Sequence, residues 1–232
     1  MHPTAMQNGR AFLDTYLPAA STKEPLTVVD IGAQNVNGSL KELMRAPLEY
    51  VGVDFVAGND VDVVLDDPYV LPFPDASADV VLSSSCFEHS EMFWVLFLEI
   101  LRVLKPAGLF YLNVPSNGIF HRYPVDCWRF YPDSGNALVT WAKRNGYTPQ
   151  LLESYTSLQV DDTWNDFIAV FVRDASSAAR HPRRILHGKR DVYNGIISGG
   201  REFVNPSPRP EDQQKLFLVE GIVSNRIKMD LK

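Results

Sequence analysis

Cysteine is scarce: only Cys86 and Cys127 occur among 232 residues, too few for a disulfide framework or a thiolate-built zinc site. Long apolar runs are also missing. The greasiest stretch, Met92 to Leu98, is closed by Glu99 and falls far short of the roughly 20 residues that span a bilayer. Basic charge is in deficit, with 22 Lys and Arg against 28 Asp and Glu and a net charge of −6. Polyanion binding needs a basic footprint, so nucleic acid is not an expected partner. The late basic pieces His181-Pro182-Arg183-Arg184 and Lys189-Arg190 read as a solvated tail. The start, Met1-His2-Pro3-Thr4, lacks the basic opening and apolar run of a signal peptide. The expectation is a cytoplasmic globular protein. Hydrophobic residues make up 45%, enough for a sizeable core.

The chain alternates between two kinds of pattern. Ala11 to Leu17 reads as a short helix stopped by Pro18. Leu26 to Ile31 is a continuous apolar run ending at Gly32, the form of a strand buried on both faces. Ser39 with Glu42 three residues on matches a capping box for a helix to Arg45. Strands are expected at Glu49–Asp54, Val61–Leu65, Asp79–Ser83 and Leu109–Val114, and helices at Glu91–Leu104 and Asp133–Asn145. Two further β-like runs lie between Gln150 and Val172. Strands alternating with helices predict an α/β fold: a Rossmann-like, doubly wound, mostly parallel sheet, with a C-terminal antiparallel β-hairpin at one edge.

The domain is expected to cover residues 1–174. Residues 175–232 read as an irregular C-terminal extension, broken by Pro206, Pro208 and Pro210. Its apolar Leu216-Phe217-Leu218-Val219 should pack on the domain or on a second copy of the chain, as a homodimer.

In a doubly wound sheet, ligands bind outside the carboxyl ends of the strands. Here those ends carry Asp30-Ile31-Gly32, Asp54, Asp66-Asp67, Ser83-Ser84-Ser85 and Asn113 to Asn117. Successive acidic tips suit a ligand with hydroxyls and an exocyclic amine, such as a nucleoside, better than a polyphosphate. A dinucleotide-binding dehydrogenase would need Gly-x-Gly-x-x-Gly after the first strand, which this chain lacks.

Six pieces in order, Val28-Val29-Asp30-Ile31-Gly32, Val51-Gly52-Val53-Asp54, Leu71-Pro72-Phe73-Pro74-Asp75, Asp79-Val80-Val81, Phe87-Glu88-His89 and Leu101 to Gly108, resemble the class I S-adenosylmethionine-dependent methyltransferases. The small-molecule subgroup with Leu-Pro-Phe and Leu-Lys-Pro-x-Gly signatures is the most similar. The resemblance spans roughly residues 26 to 173. It implies that Asp30 and Gly32 open the loop at the methionine part of S-adenosylmethionine, and that Asp54 accepts from both ribose hydroxyls. It implies Asp67 at the adenine amino group, with Asp66 as the alternative because Pro68 has no N–H to offer. Ser84 and Ser85 would meet the methionine ammonium. The family's Gly-x-Gly-x-Gly is replaced by Gly32-Ala33-Gln34-Asn35-Val36-Asn37-Gly38-Ser39. Asn35, Asn37 and Gly38 are the positions expected to take left-handed backbone there.

The segment Ile119 to Asp133 follows the fifth strand and gathers aromatics, arginines, a histidine and acids in one loop. Arg122, Tyr123, Asp126, Trp128 and Arg129 are its candidate substrate contacts, with the cations suited to a carboxylate or phosphate. The competing structural role is bracing, with Arg129 paired to Asp126 or Asp133. His121 and His89 are the candidate bases for a hydroxyl acceptor. No metal set is expected; Asp161, Asp162 and Asp166 read as hairpin decoration. The implied activity is methyl transfer to oxygen of a small molecule or sugar-type acceptor. The alternative is a non-catalytic module that binds the cofactor or a partner on the same fold.

Overall fold

The computed structural model describes residues 1–17, 25–45, 48–159, 164–198, 202–208 and 211–228, the last span without side chains before 216. Pro18, Asp161, Asp162 and Pro210 lie outside the described residues. One sheet of eight strands runs in the order β3-β2-β1-β4-β5-β7-β6-β8. The parallel part is β1 (Leu26–Ile31), β2 (Leu48–Asp54), β3 (Val63–Val64), β4 (Ala78–Ser84) and β5 (Leu104–Pro115). β6 (Gln150–Ser157), β7 (Asp166–Val172) and β8 (Val192–Ile197) add an antiparallel end, with β7 inserted between β5 and β6. The α/β reading therefore holds, and the strand order reverses between β1 and β4.

Both sheet faces are covered, which is why the strands read as unbroken apolar runs. One core packs Val29, Val81, Phe110 and Phe171 under α2 (Phe93–Val103) and α3 (Ser134–Arg144). The other packs Val28, Val80, Tyr111 and Val170 under α1 (Pro3–Tyr16) and under Ile185 and Leu186. Arg102 at the end of α2 ties the Leu-Pro-Phe segment down. Its guanidinium donates to the Glu99 carboxylate at 2.9 Å, to Leu71 O at 2.8 Å, to Phe73 O at 2.9 Å and to Asp75 at 2.7 Å.

Three local expectations change. Ser39 does cap, its Oγ accepting from Lys41 N at 3.1 Å, but only a 3-10 turn over Leu40–Leu43 follows. The helix expected over Glu91–Leu104 is shorter, Phe93–Val103: β5 already begins at Leu104, and Ala78 pairs with Leu104 before the register shifts. The stretch after 174 is not irregular throughout. β8 pairs with β6, and the buried Glu153 carboxylate accepts from Ile185 N at 2.7 Å and Leu186 N at 2.9 Å. These backbone contacts carry no side-chain periodicity, so no pattern announces them. The apolar piece near the end is α4 (Glu211–Val223), with Leu216, Leu218 and Val223 exposed.

Candidate active site

A cavity of about 490 Å³ opens at the carboxyl ends of β1, β2 and β4, within the usual range for small-ligand sites. Its wall includes Asp30, Gly32, Asp54, Ser84 and Ser85 from the strand tips, and His89, His121, Arg122 and Tyr123 from the far side. Residues distant in sequence thus meet at the switch point, because parallel strands deliver their carboxyl ends to one edge.

Asp30 is buried at 4% exposure and accepts from Tyr50 Oη at 2.8 Å. Burial pushes its pKa up to about 7, against the Tyr50 hydrogen bond and with the aid of nearby Asp60 and Asp54. Gly32 has φ +80°, and a Cβ there would stand 2.6 Å from Cys86 Cβ. Only glycine permits that backbone and that approach. The loop that follows departs from the expected one. Gly38 is left-handed at φ +115°, whereas Asn35 and Asn37 are not. Asn35 is held by its side chain: Oδ1 accepts from Gly38 N at 2.9 Å and Nδ2 donates to Asp60 at 2.9 Å. Asp54 accepts from Gln34 N at 3.2 Å and Val56 N at 3.1 Å.

Beyond Asp54 the wall turns apolar, with Phe55, Leu65, Pro68 and Tyr69, a set suited to a flat ring. Asp66 and Asp67 are exposed and stand outside the wall. Asp67 caps its own turn, accepting from Tyr69 N at 2.8 Å. Ser85 sits at φ +53° and donates its N–H to Asn113 O at 2.9 Å. Ser84 Oγ is buried and has no hydrogen-bond partner among the described residues. A cradle only glycine can form, an acceptor-only carboxylate at the second tip and an orphaned buried hydroxyl all fit a nucleoside with an amino-acid arm.

The loop after β5 closes the other side. Tyr123 Oη donates to Gln34 Oε1 at 2.8 Å and so laces this loop to the glycine loop. Arg122 is exposed on the wall and makes no ion pair among the described residues. Asp126, Trp128 and Arg129 are not in the wall. The Arg129 fork holds both Asp126 oxygens at 2.6 and 2.9 Å and donates to Ile119 O at 2.9 Å. That guanidinium keeps the Asp126 carboxyl down at about 2. Trp128 packs edge-on to Phe93 and Trp94, and its Nε1 donates to Ser90 O at 2.9 Å. His89 and His121 lie edge to face, ring centres 4.9 Å apart. Burial holds the His89 pKa below the ordinary histidine value.

Sequence reasoning passed over Gln34, Phe55, Tyr69 and Glu88. Glu88 is 1% exposed, and burial raises its pKa to about 8. Its place beside His89 was visible, but its burial was not, because Cys127 N and Trp128 N close over it by donating to Glu88 O.

The methyltransferase-domain family model matches residues 14–112. An uncharacterized methyltransferase from Mycobacterium sp. (strain KMS) is 27% identical over 84% of this chain and 73% of its own length. These likenesses support a class I S-adenosylmethionine-dependent methyltransferase. Its cofactor is S-adenosylmethionine. A shorter match, 34% identical over 37% of this methyltransferase and 32% of the relative, is to a malonyl-[acyl-carrier protein] O-methyltransferase 1 from Coxiella burnetii. The fold is shared with the Burkholderia thailandensis 1,6-didemethyltoxoflavin-N1-methyltransferase, whose structure holds S-adenosylhomocysteine. The TM-score is 0.54 at 17% identity, covering 73% of this chain and 78% of that one. It is shared too with the [4+2]-cyclase SpnF, at TM-score 0.52 and 12% identity over 73% and 81%. The same fold therefore carries different chemistry. Among the described residues no helix is long and apolar enough to cross a membrane.

Proposed function

We propose that this methyltransferase transfers methyl to an oxygen of a small, anionic or sugar-type acceptor. The observation that carries the reading is one cavity wall joining the acidic strand tips to two imidazoles and an unpaired guanidinium. When bound, S-adenosylmethionine supplies an electrophilic methyl group on a sulfonium. Asp30 would hold its ammonium group and Asp54 its ribose hydroxyls, as acceptors only. Phe55, Leu65 and Tyr69 would flank the adenine. Asp66, which makes no hydrogen bond among the described residues, is the acid we assign to the adenine amino group, since Asp67 is engaged in its own turn. Ser84 and Ser85 line the methionine end.

On the acceptor side, Arg122 would bind the anionic part of the substrate and Tyr123 would keep the loop shut on Gln34. His89 and His121 are the groups that make an acceptor hydroxyl nucleophilic. Orientation supplies most of the rate, because a held nucleophile needs little further activation. Arg129 and Asp126 act through the loop they brace rather than by touching substrate.

The test pairs calorimetry with an acceptor screen. Wild type should bind S-adenosylhomocysteine, and Asp54→Ala should lose roughly 1.5–3 kcal/mol for each hydrogen bond to the charged acceptor. Arg122→Ala should raise the acceptor KM with cofactor affinity kept. Tight cofactor binding without turnover across hydroxyl and carboxyl acceptors would favour the non-catalytic module.

A further inference from the structure

Glu88, His89 and His121 bring a carboxylate oxygen and two ring nitrogens within 4.8 Å of one another at the acceptor end of the cavity. Glu88 Oε1 lies 3.8 Å from His89 Nε2. Glu88 Oε2 is buried with no hydrogen-bond partner among the described residues, an arrangement that folded proteins seldom leave unmet. Both imidazoles have their other nitrogen committed. His89 Nδ1 meets Val125 O. His121 Nδ1 meets Ile119 O at 3.3 Å and lies 3.4 Å from Asp126 Oδ2. A ring that donates from Nδ1 to a carbonyl or carboxylate keeps a lone pair at Nε2, which is how metal-binding histidines are oriented.

We propose that Glu88, His89 and His121 bind a divalent first-row transition ion, and that this ion holds the methyl acceptor through two neighbouring oxygens. The inference rests on the methyltransferase reading of the cavity and deepens its acceptor side. Two histidines and one carboxylate are a mixed nitrogen and oxygen set that leaves coordination positions open. Here the open side is the cavity, where His89 and His121 form the wall. An ion there selects acceptors with adjacent oxygens, such as an α-hydroxy acid, a vicinal diol or a catechol. Arg122 then meets a remaining negative charge.

The ion also takes over the work of a free base. A cation lowers the pKa of a bound hydroxyl, so the acceptor O–H bond breaks with its proton passing to solvent. The oxygen lone pair forms the new bond to the methyl carbon, and the carbon–sulfur bond breaks with its electron pair going to sulfur. Metal–donor distances of about 2.0–2.2 Å require the three donors to draw in to roughly 3.3 Å. Glu88 and His89 are near that already. His121, on the exposed loop, supplies the remaining movement.

The test uses the full chain, freed of metal with a chelator and without cofactor. Titration with Co²⁺ and with Zn²⁺ should show one ion per chain, with visible Co²⁺ absorption of a low-symmetry nitrogen and oxygen site. Glu88→Gln and His121→Ala should each weaken binding by roughly tenfold or more. His187→Ala, on the exposed tail, should leave it unchanged. S-adenosylhomocysteine binding, measured on the same samples, should persist in all of them and reports an intact fold. No ion bound at one equivalent, or equal affinity in Glu88→Gln and His121→Ala, overturns the metal site. If S-adenosylhomocysteine still binds, the methyltransferase reading survives that failure; if wild type fails to bind it, that reading fails separately.

Discussion

Asp30 ties cofactor binding to pH in a way that can be worked out before measurement. Its pKa stands at about 7 because burial penalises the carboxylate, and the ammonium group it would face favours the ionised form. The ionised fraction then rises from about one-tenth at pH 6 to about nine-tenths at pH 8. S-adenosylhomocysteine affinity should therefore strengthen about tenfold over that interval. Folding stability should move the opposite way. The folded pKa lies above the unfolded 3.8, so the native state holds the extra proton between the two values. Stability is complete below about pH 4 and is lost as pH rises toward 7, with an upper limit on the order of 4 kcal/mol at 1.36 kcal/mol per pKa unit. Asp30→Asn removes both dependences. At pH 8 it should melt higher than wild type yet bind the cofactor product roughly 10–150-fold more weakly, the loss of one charge-assisted contact. Calorimetry and thermal melts across pH 5.5–8.5 check this. An Asp30→Asn variant that binds as wild type does, or a wild-type affinity flat with pH, would refute the reasoning.

Other perturbations separate binding from bracing. Gly32→Ala forces a Cβ to 2.6 Å from Cys86 at a φ of +80° and should cost about 1–3 kcal/mol of stability along with cofactor affinity, read by thermal melts and calorimetry. Arg129→Ala strips the nearly buried Asp126 carboxylate of its guanidinium partner, leaving it the His121 N–H, and should cost roughly 1–3 kcal/mol of stability while cofactor affinity stays near wild type. Arg129→Lys should not restore it, because the two-point fork is lost. Truncation after Asp174 strips Glu153 of its two backbone donors and β6 of its outer neighbour. A lower midpoint in denaturant, with a smaller slope, is the expected outcome.

The parallel sheet was legible because its strands are buried on both faces and read as apolar runs ending in polar tips. Leu26–Ile31 is the clearest case, matching β1 at both ends. The strand-tip side of the cavity was legible for the same reason: Asp30, Gly32 and Asp54 sit where runs stop and line its wall. β8 was not, since Val192 to Ile197 is held by pairing with β6 rather than by any periodicity of its own. Nor was the division of labour in the loop after β5. Composition put Arg122 and Arg129 on equal terms. Only the fold shows that Arg129 turns back to Asp126 and Ile119 while Arg122 faces the cavity. Glu88 was hidden likewise, because burial by a loop some forty residues later leaves no mark beside it in the chain.

Isotope tracing follows the methyl group itself through this cavity. S-adenosylmethionine carrying a deuterated methyl is incubated with the protein and a panel of hydroxy acids, catechols and sugar acids, and products are read by mass spectrometry. A deuterated methyl is expected on an oxygen of a small anionic acceptor with wild type, and strongly diminished with Asp54→Ala at limiting cofactor. Cofactor bound in the cavity with no labelled product from any acceptor, or labelling undiminished in Asp54→Ala, would contradict this expectation.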